Sequence, residues 1–141
     1  EGDAVTLRVF TARLSYVGPD RLDITRAGAD AYRKRTGLTW EGAAFAPSWE
    51  IMLPLVRMRR ELRGTGYLAH EIVAPAWKLY VPAYTAEMRA SYRRNRAAWD
   101  ALLARDAVTL VCFCVDGTQC HRRILAEILA KCGAVDCGER E

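Results

Sequence analysis

Residues 107–115, Ala-Val-Thr-Leu-Val-Cys-Phe-Cys-Val, are almost without polar side chains. A strand with one wet face alternates in polarity. A continuous apolar run is what a strand covered on both faces requires, and such strands belong to parallel sheets flanked by helices. The turn Asp116-Gly117-Thr118 follows, and then residues 120–131. Here Ile124, Leu125, Ile128, Leu129 and Cys132 recur at helical spacing up to Gly133, which ends the helix. On the opposite side, Arg123, Glu127 and Lys131 read as a solvent face with two favourable four-apart charge pairs.

The rest of the chain is arranged around this junction. Residues 5–14 alternate as a strand, Gly18-Pro19-Asp20 turns, and residues 21–26 form a second short strand. Residues 27–47 lack periodicity. They predict a long loop with at most one helical turn near 29–35, and a loop of that length commonly covers a site. Ser48 can cap a helix reaching residue 62, although Pro54 argues against an unbroken one and a start after Pro54 is the alternative. Residues 64–75 read as irregular. Residues 82–105 carry the longest period, with Tyr84, Met88, Tyr92 or Ser91, Asn95, Trp99, Leu102 and Leu103 on one side. Residues 134–137 add a last short strand before a polar tail. At 141 residues the chain suits one domain, 1–141. The order strand, strand, helix, helix, strand, helix, strand predicts an α/β sandwich with a parallel or mixed sheet. Ligands of such sheets sit outside the carboxyl ends of the strands, here after residues 22–26 and 108–114.

Both ends carry chemistry. Side chains alternate along a strand, so Cys112 and Cys114 share a face, with Cys114 at the exit. Cys120, His121 and Arg122 occupy the first turn of the following helix, where unpaired N–H groups and the positive end of the helix welcome an anion and stabilise a thiolate. A cation there needs an anionic ligand or a carboxylate beside it, and Asp23 is the candidate. His121 tends to stay neutral at this position, fit to accept a proton. The expected catalytic residues are therefore His121, Cys114, Cys120 and Asp23. The expected substrate-binding residues are Arg122, Arg26, Thr118 (which can also cap the helix) and Trp49. Trp49 closes the run Phe45-Ala46-Pro47-Ser48-Trp49, which suits stacking on a base, capping a pocket or core packing equally.

Net charge is +4, from 21 basic and 17 acidic residues, and only Lys34, Lys78 and Lys131 are lysines. Arginine's rigid fork suits phosphates and carboxylates, although compositional bias accounts for the excess as well. Two arginine runs, Arg57, Arg59, Arg60 and Arg63 and then Arg89, Arg93, Arg94 and Arg96, could together form a nucleic-acid face. His70-Glu71 is a loop pair with no evident partner. No apolar run is long enough to span a bilayer and the first residues do not read as a signal peptide, so no membrane partner is expected. Five irregularly spaced cysteines in a chain large enough to have a core predict reduced thiols in a cytoplasmic protein, or in part ligands of a metal. Zinc would need Cys114, Cys120 and His121, with Cys112 as an optional fourth ligand, a spacing unlike the common zinc ribbons.

The string from Leu110 to Leu129 resembles the signature of the DUF488 family, whose members open the helix after a core strand with Cys-His-Arg. Here that motif is Cys120-His121-Arg122. Leu22-Asp23-Ile24-Thr25-Arg26 resembles the family's early Asp-x-Arg-like element with Thr25 intervening, and the Tyr-rich helix of residues 84–103 resembles the one before its core strand. The resemblance is strong over residues 80–137 and loose before them. It departs at the Cys112 and Cys114 pair and in residues 27–47. It implies a single-domain, three-layer Rossmann-like sandwich and no assigned activity. Three readings follow. The first is an enzyme on a nucleotide, nucleoside or modified base, taking an anionic small molecule. The second is a nucleic-acid-binding or processing module, and the third a metal-stabilised domain.

Overall fold

Val9 pairs with Val108 and Leu22 with Leu110, and all four side chains are buried, as strands covered on both faces require. In the computed structural model, which describes residues 6–61, 64, 69–112 and 121–140, β1 (Arg8–Arg13), β2 (Arg21–Asp23), β3 (Ala107–Cys112) and β4 (Val135–Glu139) form one sheet in the order β2-β3-β1-β4. All three pairings are parallel. Five helices, α1 (Arg26–Thr36), α2 (Trp49–Glu61), α3 (Ala69–Arg94), α4 (Arg96–Leu103) and α5 (His121–Lys131), and a short 3-10 turn at Ala43–Phe45 complete the described residues. This is the expected α/β class, compatible with a three-layer Rossmann-like sandwich. No helix among the described residues is long and apolar enough to cross a membrane.

The core joins Val9, Leu22, Val108, Leu110 and Cys112 of the sheet to Leu125 and Leu129 of α5, Tyr84 and Met88 of α3, and Trp99 and Leu102 of α4. Phe45 also belongs to this core, its ring meeting Trp99 edge-on at 4.9 Å. Burial of the apolar side chains foreseen in β3 and α5 is therefore the main force holding the sheet to its helices.

Several boundaries differ from the sequence expectation, each for a local reason. The second strand stops at Asp23, because the Asp23 carboxylate accepts the Thr25 N–H (2.8 Å) and the Thr25 hydroxyl then caps α1 by accepting the Gly28 N–H (2.9 Å). The expected loop thus contains an 11-residue helix. Only Ala29 of it is buried, so it lacks an apolar stripe, and its two caps, Thr25 and the left-handed Gly37, define it instead. Ser48 does not spend its side chain on α2: its hydroxyl and N–H both go to Glu87 on α3. The helix runs through Pro54, which sits in its second turn. The long period of residues 82–105 is two helices. The α3 helix begins at Ala69, inside the stretch read as irregular, passes Pro75 and Pro82, and breaks at Asn95. There Asn95 Nδ2 and Trp99 Nε1 both donate to Ser91 Oγ at 3.1 Å.

The last strand holds the most consequential irregularity. Asp136 aligns with Val9, but Phe10 aligns with Gly138 and Thr11 with Glu139, so Cys137 is an extra residue in the ladder. Gly138 takes a positive φ of 90° to make this bulge. Asp136 and Glu139, three apart in sequence, consequently face the same side of the sheet, toward α5. Gly138→Ala is expected to cost about 1–2 kcal/mol in urea unfolding, the usual penalty for an L side chain in this backbone region. A smaller loss would show that the bulge is not strained by a Cβ.

Candidate functional site

Arg122 lies in the first turn of α5 with a side chain that is 0% exposed. Its Nη2 and Nε donate to the two carboxylate oxygens of Glu139 at 2.7 and 3.2 Å, and Nη1 to Cys112 Sγ at 3.1 Å. Thr11 donates a further short hydrogen bond to Glu139. Burial pushes the Glu139 carboxyl up, but hydrogen bonds from Arg122 and Thr11 and the charges of Arg122 and Arg123 outweigh it and hold the group below the usual carboxylate range. The carboxylate that the sequence required beside Arg122 is therefore Glu139, not Asp23. The neighbouring Arg123 is not a solvated residue paired with Glu127. It is half-buried and bound to Asp136 at 2.7 Å. The bulge in β4 delivers both acids to two consecutive arginines.

His121 points the other way, toward the end of β2. It is 7% exposed, and its Nε2 lies 2.9 Å from the Ile24 carbonyl. A carbonyl only accepts, so Nε2 carries the proton and Nδ1 of the neutral ring is left as the acceptor. Nδ1 has no hydrogen-bond partner among the described residues. The Tyr84 ring packs edge-on at 5.5 Å, and Tyr84 donates its own hydroxyl proton to the Phe45 carbonyl at 2.6 Å. Desolvation pulls the His121 pKa down to about 4, and the Arg122 charge adds to it. The Ile24 carbonyl and the Asp23 charge oppose the shift and do not overcome it.

Asp23 ends β2 next to the residues that contact His121. One carboxylate oxygen accepts the Thr25 N–H, and the other, Oδ2, has no hydrogen-bond partner among the described residues. Two glycines make room for this residue. A Cβ on Gly28 would fall 2.2 Å from Asp23 Oδ2, and one on Gly42 would fall 2.1 Å from its carbonyl oxygen, which accepts the Trp40 indole N–H at 2.7 Å. Neither Gly28 and Gly42 nor Glu139 was singled out from sequence. For Glu139 the only available signal was the Asp136-Cys137-Gly138-Glu139 spacing, whose meaning depends on the bulge.

The remaining expected site residues divide clearly. Arg26 turns its guanidinium onto the carbonyls of Pro47 (3.0 Å), Ala43 and Ala46 (both 3.3 Å), fastening the segment after α1. Trp49 is exposed and donates to Asp30 at 2.8 Å, bridging α2 to α1. Cys114, Thr118 and Cys120 lie outside the described residues, as do the side chains of His70 and Glu71. Cys112 is disulfide-bonded and Cys132 and Cys137 are free, so the expectation of five reduced thiols is corrected at Cys112. A disulfide sulfur is not a thiolate ligand, which removes Cys112 from the expected zinc set. Among the described residues no group of three His, Cys, Asp or Glu side chains is placed to hold a metal. Of the two arginine runs, Arg57 and Arg60 lie on α2, Arg89, Arg93 and Arg94 on α3 and Arg96 on α4, while the side chains of Arg59 and Arg63 lie outside the described residues.

Comparison with known proteins adds one finding. The family model DUF488-N3a, described as the active DUF488-N3 subclade, matches residues 44–133, more than half of the chain. The match starts earlier than the region of strong resemblance and takes in the core strand and the Cys-His-Arg helix. No curated protein and no solved structure matches the chain.

Two outcomes check this geometry. The unfolded chain binds a proton at an ordinary histidine near pH 6.5, while folded His121 does so only near pH 4. Its stabilising contribution is therefore complete above pH 6.5 and lost as pH falls toward 4, on the order of 3 kcal/mol in urea unfolding. His121→Gln should flatten that window. Glu139→Gln should cost about 3 kcal/mol by stranding a buried guanidinium, and the pair Arg122→Met with Glu139→Leu should recover most of it.

Proposed function

We propose a function for a chain that belongs to the DUF488 family, in its active N3 subclade: an enzyme acting on a nucleotide, nucleoside or modified base at the carboxyl edge of its sheet. One observation carries the reading. His121 is buried, neutral at physiological pH and fixed by the Ile24 carbonyl in the tautomer that leaves Nδ1 as acceptor, with the Asp23 carboxylate close enough to act on its charge. A proton-transfer group needs that combination of known tautomer and available lone pair.

In this reading His121 takes or returns a proton at Nδ1. Asp23 Oδ2 accepts from a sugar hydroxyl, the task an acid at the end of the second strand performs in related sheets. The start of α5 favours an anionic group on the ligand. Arg122 does not touch substrate. It is a positioning residue that fixes the start of α5, and hence His121, through Glu139 and Cys112. Arg26 and Trp49 likewise position the segments around Asp23.

The test is incubation with a panel of nucleosides, nucleotides and modified bases, with products read by mass spectrometry. His121→Gln should lower kcat/KM by at least about 100-fold while the protein stays folded. For the wild type, kcat/KM should stay flat from pH 8 to 6 and fall only toward the His121 value of about 4. An acid limb near pH 6.5, or full turnover by the glutamine variant, would refute the assignment.

A further inference from the structure

A cavity lies away from the His121 site. Helices α3, α4 and α5 enclose a hollow of about 450 Å³, within the range of sites for small molecules. It meets the far end of α5, at Ile128 and Lys131, about 15 Å along the axis from His121. Its floor is Met88 and Trp99, which are 2% and 1% exposed. The Trp99 indole N–H is turned to Ser91, so the ring offers carbon to the hollow.

The mouth is different. Arg89, Arg93 and Lys131 line it, all three exposed, and no carboxylate does. None of the three has an ion-pair partner among the described residues, although Arg26, Arg96, Arg105, Arg122, Arg123 and Arg140 all do. Three unpartnered cations around an apolar floor are complementary to a molecule with an apolar body and one acidic end. A nucleic-acid strand would track a groove with its charge spread along it, and a neutral hydrophobe would gain nothing from the rim.

We propose that the hollow between α3, α4 and α5 binds a small amphiphilic anion, an aromatic or aliphatic carboxylate, sulfonate or phosphate. Its apolar body rests on Met88 and Trp99, and its acid group lies among Arg89, Arg93 and Lys131. The site is separate from the one at His121 and does not depend on it.

Cys132 supplies a reporter, because its free thiol lines this hollow while the free thiol of Cys137 on β4 does not. The probe is 8-anilinonaphthalene-1-sulfonate, compared with N-phenyl-1-naphthylamine, which has the same rings and no charge. The sulfonate should bind saturably at one site, slow maleimide labelling of Cys132 about tenfold and leave Cys137 unchanged. Arg89→Glu with Arg93→Glu, both on the exposed face and checked for folding by circular dichroism, should weaken the sulfonate about tenfold and the neutral amine less than about twofold. Binding indifferent to charge reversal, equal protection of both cysteines, or no saturable binding would overturn the proposal. Protection of Cys132 without probe that grows with protein concentration would also overturn it, by assigning the hollow to a second copy of the chain.

Discussion

A guanidinium can be taken out of water in the first turn of a helix only if an anion meets it there, because the helix end is itself positive. Arg122 is wholly buried in that position, and Glu139 meets it through both carboxylate oxygens. Much else follows from this contact. It fixes the start of α5 against β4 and, through Cys112, against the end of β3. It also explains the bulge at Gly138, which brings Asp136 and Glu139 to one side of the sheet for Arg123 and Arg122. Edge strand, helix and core strand are thus locked at the corner where the sheet's carboxyl ends lie.

That lock leaves His121 free of it. Arg122 and Arg123 are turned toward β4, whereas His121 is turned toward β2, and consecutive residues on a helix diverge in this way. Burial away from water, helped by the positive charge next door, keeps the imidazole neutral, and the Ile24 carbonyl selects its tautomer. Asp23 is prepared by equally indirect means. Gly28 and Gly42 have no side chain because one would collide with it. The residues that would do chemistry are few, and the residues that place them are many.

The arginine excess resolves into different physical roles once the chain is folded. Arg122 and Arg123 join α5 to β4, and Arg26 secures a loop by binding carbonyls. Arg89 and Arg93 flank an apolar hollow, where their charge has a different meaning.

The parallel sheet, the buried core strand, the amphipathic α5 and the position of His121 at its start were all legible in the chain, because each rests on local periodicity or on a strand too apolar to face water. The family could be named from the Cys-His-Arg motif for the same reason. The helix α1 was not legible, since caps rather than an apolar stripe define it, and neither was the break at Asn95, where Ser91 gathers hydrogen bonds from two side chains. The partner of Arg122 was out of reach altogether. Glu139 sits 17 residues away on a strand whose register is shifted by one extra residue. Sequence by itself determined that a cation in the first turn of α5 had to have an anion. Only the tertiary structure decided which one, because side-chain direction in a sheet reverses with every residue and a single bulge changes the answer.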